Sequence, residues 1–292
     1  MTIQTIGIIG SGNLGTRIGL QAAISGYAVS MYDLDERSLT RSMGSMKKLL
    51  SHLTSTRQIT EEMGVQAMDK ILFSQYLNLA LQNVDLISES VVEDAAIKTR
   101  VWKEIGELAP SHTIFTTNTS YLLPSQFAEV SGRPEKFCAF HFHDVFYSRV
   151  VDIMPHPGTA QEVISLLENL GRKLNQVPIL IKKEHSGYIF NTLLIAWIDA
   201  AGRLLTGEIA EVEAIDKSWM VNFGMSAGPF GILDNVGLDT AWQITSTRRN
   251  PASRAFAALL ETYVHQGKLG TKSGEGFYTY PNPSYKHPDF LK

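Results

Sequence analysis

Thr5-Ile6-Gly7-Ile8-Ile9-Gly10-Ser11-Gly12-Asn13-Leu14-Gly15 is the stretch on which the fold turns. Thr5 to Ile9 is a short β-branched run that reads as a buried strand. It enters Gly10-x-Gly12-x-x-Gly15 directly, and Leu14 to Ile24 then carries apolar residues at helical spacing. Strand, glycine loop and helix in that order predict a dinucleotide-binding turn: Gly10 for the tight turn, Gly12 for close approach of backbone to a pyrophosphate, Gly15 for helix packing on strand. The phosphates would sit over the helix N-terminus at Asn13 and Leu14, where unpaired N–H groups and the dipole favour anions. Glycines also mark ordinary turns, so the context matters. A second apolar run, Ala28 to Tyr32, ends at Asp33, about 20 residues on, where an acid is expected to meet a ribose 2′-hydroxyl. A carboxylate there would repel the 2′-phosphate of NADP, so the expected cofactor is NAD.

The chain has 292 residues, enough for two domains. It is 44% hydrophobic and 19% charged, which excludes a disordered chain. A net charge of −3 without a dense basic run argues against nucleic acid as a partner. The single cysteine, Cys138, rules out an internal disulfide and fits a reducing compartment. The opening MTIQTIGIIG lacks a basic n-region, and no apolar run reaches membrane-spanning length. The expectation is a cytoplasmic protein that engages no membrane.

Past Asp33, Met43, Met46, Leu49, Leu50 and Leu53 predict a helix, Ser55-Thr56 breaks it, and Thr60 before Glu61-Glu62 reads as a new N-cap. This helical pair, about residues 36–70, is an insert among the sheet's connections; its Lys47, Lys48 and Arg57 could meet a polyanionic ligand, but a solvated face is the favoured reading. Strands are expected at Ile71–Phe73, Val84–Ser88, Thr113–Thr117, Val150–Met154 and Val177–Ile181, with helices at Glu93–Leu108 and Ala160–Leu174. The alternation predicts a doubly wound, mostly parallel Rossmann-like α/β sheet. From His185 onward only helical patterns follow, so residues 1–184 form one expected domain and residues 185–292 an all-helical second one, with a boundary at Lys183 to His185. Gly228-Pro229 reads as a helix start, Phe277 to Tyr280 as strand-like, and the proline-rich tail after Tyr280 as loose.

Further stretches make the chain resemble the 3-hydroxyacyl-CoA dehydrogenase family: Ser88-Glu89-Ser90-Val91-Val92-Glu93 with Lys98, Asn118-Thr119-Ser120, His141-Phe142-His143-Asp144 with Asp152, and Ser186-Gly187-Tyr188-Ile189-Phe190-Asn191. Downstream, Gly228-Pro229-Phe230, Asp234, Gly237-Leu238-Asp239 and Gly270-Thr271-Lys272-Ser273-Gly274-Glu275-Gly276-Phe277-Tyr278 match in order. The resemblance covers nearly the whole chain. It implies hydride transfer between NAD and a 3-hydroxyacyl-CoA substrate, a homodimer built through the helical domain, and an active site in the cleft between domains. In that frame His141 is the base, Asp152 orients it, and Ser120 and Asn191 hydrogen-bond the reacting oxygen. Glu93, Lys98 and Asn118 line the cofactor together with Gly10, Gly12, Asn13, Leu14, Gly15 and Asp33.

Alone, several of these residues have plainer readings. A histidine in the apolar run Phe137 to Phe142 is more often structural, Ser120 would cap a turn, and Cys138 is a small buried residue. His143 and His185 show no zinc-type spacing, so no metal is expected. The chain also departs from the family. Phe142-His143-Asp144-Val145 stands where Phe-x-Asn-Pro is usual, and Asp152 where the family has glutamate. Asp144 is expected to compete for His141, raise its pKa or repel an anionic substrate, unless His143 instead offsets that charge. Between Leu49 and Arg57 the family's CoA-contacting serine and lysine have no counterparts. The run Asp152-Ile153-Met154-Pro155-His156-Pro157-Gly158-Thr159 resembles the branch acting on free hydroxy acids, such as gulonate dehydrogenase. A free 3-hydroxy acid substrate, or an NAD-binding protein with little turnover, are the alternatives.

Overall fold

The computed structural model describes residues 2–248 and 251–292, without the side chain of residue 252, and the chain divides into two units, passing from one to the other between Ile189 and Phe190. The first unit is an eight-stranded sheet. In chain order it runs β1 (Thr5–Ile9), α1 (Asn13–Ile24), β2 (Ala28–Tyr32), α2 (Glu36–Ser55), α3 (Glu61–Asp69), β3 (Ile71–Ser74), α4 (Leu77–Ala80), β4 (Leu86–Glu89), α5 (Ala95–Leu108), β5 (Ile114–Thr117), α6 (Ser125–Ala128), β6 (Phe137–Phe142), β7 (Val150–Pro155), α7 (Gln161–Lys173) and β8 (Val177–Leu180). The strand order is β3-β2-β1-β4-β5-β6-β7-β8, and every pairing is parallel except β6 with β7. The chain reverses direction of travel across the sheet between β1 and β4, the switch point where doubly wound sheets bind ligands.

Period-two alternation explains the two covered faces. Ile8, Leu86, Ile114 and Cys138 face a core shared with α1, α2, α3 and α7. Their neighbours Ile9, Ile87, Phe115 and Phe137 face the opposite layer, where Trp102 and Ile105 of α5 pack with Phe127 of α6. Cys138 is buried, and burial pushes its thiol up, so it serves as a small apolar filler. The helical insert forms as two helices, with the Thr60 hydroxyl accepting from Met63 N at 3.2 Å as the second cap. The helix expected from Glu93 starts two residues later, because Asp94 caps it through Ile97 N at 2.8 Å. Glu93 is thereby left in the preceding loop.

The second unit consists of α8 (Phe190–Thr206), α9 (Val212–Phe223), α10 (Pro229–Val236), α11 (Leu238–Ser246) and α12 (Pro251–His265). Gly228 is the N-cap of α10 with Pro229 at its first position, as its order in the sequence predicts. Two buried aspartates organise this unit. Asp216 of α9 accepts from Phe230 N and Gly231 N at 2.9 Å, capping α10 from outside, and from Tyr278 Oη at 2.9 Å. Asp234 accepts from Phe277 N and Tyr278 N at 2.9 Å. Those two amides therefore do not enter a ladder, and the strand expected over Phe277 to Tyr280 is reduced to isolated bridges. The tail is not loose either: Tyr285 and Phe290 are buried in the second unit's core, with the Tyr285 ring edge-on to Tyr278 at 4.9 Å. Among the described residues no helix is long and apolar enough to cross a membrane.

Candidate active site

At the end of β1 the three glycines meet three different constraints. Gly10 has φ +101°, and a Cβ there would lie 2.7 Å from Ser90 O, on the loop leaving β4. A Cβ on Gly15 would fall on the Gly10 carbonyl oxygen. A Cβ on Gly12 meets nothing within 4 Å, so the space over this glycine is open and no protein atom requires its small size. Gly12 is also the N-cap of α1, with no side-chain cap and no acid in the first turn. Ser11, Gly12, Asn13, Thr16, Ser38 and Arg41 help line a cavity of about 230 Å³ beside it. An uncapped helix N-terminus with space over its glycine suits the pyrophosphate of a dinucleotide. Asp33, half-buried at the end of β2, accepts from Ser11 N and Ser11 Oγ, both at 2.8 Å, which ties the glycine loop to the expected ribose-binding carboxylate.

Beyond β4 lies a buried charge cluster. The Lys98 ammonium contacts Glu89 Oε1 at 2.6 Å, and both side chains are almost wholly buried. Glu89 also accepts from Thr117 Oγ1 at 2.7 Å and Val91 N at 2.9 Å. Such a pair persists only with these extra donors, and deleting one partner costs about 3–5 kcal/mol. Glu93 lies 3.5 Å from Lys98 but is chiefly occupied by the loop after β5: Thr119 Oγ1 donates to it at 2.5 Å, Ser120 N at 2.9 Å and Tyr121 N at 3.2 Å. Asn118 donates to Ser88 Oγ at 2.8 Å and Ser90 Oγ at 3.0 Å, and accepts from Phe142 N at 3.0 Å. Its amide thus binds the ends of β4, β5 and β6 to one another.

His141 stands at the end of β6, directly opposite Asp152 in the antiparallel register with β7. Its Nδ1 lies 3.3 Å from Asp152 Oδ2, and its Nε2 lies 3.2 Å from Ser120 Oγ. Asp152 is 2% exposed; burial pushes its carboxyl up, but hydrogen bonds from His141 and His143 outweigh this and hold it below the usual carboxylate range. With Asp152 ionised, His141 carries its proton on Nδ1 and presents the Nε2 lone pair toward Ser120. The Tyr188 ring stacks on His141 at 4.6 Å and 21°, and its hydroxyl donates to Thr119 O at 2.8 Å. Tyr188 has φ +52°, a conformation an aromatic residue adopts only where its surroundings enforce it.

Three of the expected catalytic residues, His141, Asp152 and Ser120, therefore come together in the first unit. Asn191 is the second residue of α8 in the other unit. The expected rivalry between Asp144 and His141 does not occur. Asp144 pairs with Arg17 of α1 at 3.2 Å and accepts from Phe146 N and Tyr147 N at 3.0 and 2.8 Å, so its charge is spent on the β6–β7 turn. The competitor is His143, whose Nε2 lies 2.7 Å from Asp152 Oδ2. Ligand-type atoms of His141, His143 and Asp152 all lie within 4.8 Å of one another, and the hydrogen bonds to Asp152 account for that proximity.

A doubly wound sheet with a glycine-rich first turn and a Ser–His–Asp cluster at the strand ends defines a dinucleotide-dependent oxidoreductase. Residues 5–185 match the NAD binding domain of 3-hydroxyacyl-CoA dehydrogenases, and residues 187–280 match their C-terminal domain. The chain belongs to the 3-hydroxyacyl-CoA dehydrogenase family. It is 30% identical over 288 residues to a probable 3-hydroxybutyryl-CoA dehydrogenase of Bacillus subtilis (strain 168), covering 96% of this chain and 98% of that one. Among solved structures it resembles a diketoreductase, described for its dual catalysis of dicarbonyl compounds, at 38% identity and TM-score 0.90, covering 96% of this chain and 100% of that one. An (S)-3-hydroxybutyryl-CoA dehydrogenase from Ralstonia eutropha follows at 27% identity and TM-score 0.87, with the same coverage of 96% and 100%.

Sequence reading missed Glu89, His143 and Tyr188 as parts of this cluster. An acid inside the apolar β4 run was a usable signal for Glu89. His143 lies two residues past His141 and so on the same face of the strand. Tyr188 stands in the run Ser186 to Asn191, but its left-handed backbone and its stacking on His141 come from tertiary packing and have no local signal.

Proposed function

We propose that the chain interconverts a 3-hydroxyacyl and a 3-oxoacyl thioester, with His141 moving the hydroxyl proton. The observation that carries this reading is the placement of His141 between Asp152 and Ser120 at the strand ends of an NAD-binding unit. NAD, when bound, supplies the hydride acceptor. Gly10, Gly12, Asn13, Leu14, Gly15 and Asp33 would hold its pyrophosphate and adenosine ribose, with Glu93, Lys98 and Asn118 shaping the nicotinamide side. In oxidation, His141 Nε2 accepts the alcohol proton while the developing carbonyl oxygen keeps the Ser120 hydroxyl as a hydrogen-bond donor. Asp152 holds the ring in the required tautomer and stabilises the imidazolium that forms. In reduction the same imidazolium returns the proton. Asn191 is assigned to the reacting oxygen as a second donor, in line with the family resemblance.

The diketoreductase likeness at 38% identity favours a second reading in which the same chemistry acts on a free 3-oxo compound. NADH absorbance with acetoacetyl-CoA and with acetoacetate decides between them. Oxidation with the thioester alone supports the CoA reading, and oxidation with the free acid alone overturns it. Binding of NADH without turnover on either, or on a wider panel of hydroxy acids, would leave only a cofactor-binding role.

We also place the enzyme in the cytoplasm, as a homodimer in fatty acid metabolism. The buried thiol Cys138 supports a reducing compartment. Leu193 of α8 with Val221 and Phe223 of α9, exposed at 66%, 58% and 66%, supports a subunit contact through the helical unit.

A further inference from the structure

We propose that His143 is a positioning residue that shares Asp152 with His141 and thereby limits how strongly this carboxylate supports His141 in proton transfer. The proposal rests on His141 being the base.

The geometry follows from the β6–β7 ladder. His141 pairs with Asp152, and the ladder continues one step past β6 through His143 N donating to Val150 O at 3.1 Å. His143 is thus the diagonal neighbour of Asp152 on the face that carries His141, within reach of a long or aromatic side chain. Both imidazoles converge on one oxygen: His143 Nε2 at 2.7 Å and His141 Nδ1 at 3.3 Å from Asp152 Oδ2. The shorter contact has the length of a charge-assisted N–H···O bond, whereas the longer lies past the optimum. Asp152 therefore holds His143 more tightly than it holds the base.

The chemical consequence has a fixed sign. An imidazolium at His141 is stabilised by the charge on Asp152, and a donor already engaging the same oxygen withdraws part of that charge. A proton on His143 would add like-charge repulsion across rings whose centroids are 4.9 Å apart. Both effects weaken the support that Asp152 can give to a proton on His141. Asp152 from β7 and His141 from its own strand are among the groups that face His143. Tyr188, packed on His141, adds a neutral ring whose phenol burial pushes up, and the neighbouring Asp144 is engaged by Arg17. Removing the His143 donor should return Oδ2 to His141 and make it a stronger base.

The test is the pH profile of kcat/KM for alcohol oxidation in wild type, His143→Phe and His143→Gln, with NADH binding confirming the fold of each. His143→Phe keeps a ring and removes the donor; His143→Gln keeps a donor but cannot titrate. The acid limb, where the base must lose its proton, should move to higher pH by about one unit in His143→Phe, tenfold in the protonation equilibrium, and by less in His143→Gln. An acid limb that stays in place, or moves to lower pH, overturns the proposal whatever happens to kcat. If His143→Phe does not fold, imidazole NMR titration of wild type and His143→Gln reads the same shift directly. His141→Gln separates the two assignments. Retained turnover there removes His141 as base and the sharing with it, whereas lost turnover with an unmoved limb in the His143 variants removes the sharing alone.

Discussion

His141 and Asp152 face each other as a register pair of the one antiparallel junction in the sheet, Nδ1 to Oδ2 at 3.3 Å. Because the pairing is set by backbone, the dyad does not depend on a loop to be assembled. His141→Gln keeps the approximate volume and loses the proton acceptor, so turnover should fall by about 10²- to 10⁴-fold while NADH affinity stays within error. Stopped assays following NADH absorbance and a fluorescence titration of NADH measure the two quantities. Undiminished turnover would remove His141 from the proton-transfer role.

Asp152 supplies a pH prediction. Its folded carboxyl lies below the ordinary carboxylate value of about 3.9, so its stabilising effect is fully present above that value and is lost as pH falls through the lowered folded value. Asp152→Asn should therefore cost about 1–3 kcal/mol near pH 5, below the histidine range, with the gap to wild type closing as pH falls further through the carboxylate range. Urea melts of both proteins between pH 3 and 5 test this; a gap that widens across that window contradicts it.

Much of this was readable in advance because it rests on local rules. The strand–glycine–helix turn, the two-helix insert with Thr60 as its cap, and the alternation of strands and helices follow from spacing and caps. The dyad was readable only through ordered motifs, since His141 alone in an apolar strand has no distinctive signal. What stayed hidden was tertiary. Phe277 N and Tyr278 N are drawn to Asp234 from 43 and 44 residues away, which cancels a strand that local pattern favours. Tyr285 and Phe290 anchor a tail whose prolines read as loose. Asp144 looked like a threat to His141 until Arg17, 127 residues away, proved to be its partner.

Asp144 ties two amides of its turn and Arg17, whose guanidinium also lies 5.1 Å from the centre of the Phe146 ring. Asp144→Ala removes the turn's acceptor and should cost about 1 kcal/mol, whereas Asp144→Asn keeps an acceptor oxygen and should cost less. Neither should move the pH profile, because this carboxylate does not contact His141. Thermal melts and the profile of kcat/KM check both halves. A shifted profile in Asp144→Asn would return this residue to the catalytic electrostatics.

The glycine loop allows fold and cofactor binding to be separated within one motif. Gly15→Ala places its methyl on the Gly10 carbonyl oxygen, so helix α1 must move off β1 and the fold should be destabilised by about 1–3 kcal/mol, as overpacked sites are. Gly12→Ala adds the same methyl where nothing of the protein lies within 4 Å, so the melting temperature should be unchanged. The methyl would instead occupy the approach to the uncapped N-terminus of α1, and NADH affinity should fall by at least tenfold. Asp33→Asn completes the series: it keeps an acceptor for Ser11 but removes the charge, so NADPH should gain on NADH. Calorimetric melts and titrations with both nucleotides measure all three variants. If Gly12→Ala binds NADH as wild type does, the open space above Gly12 is not where the pyrophosphate sits.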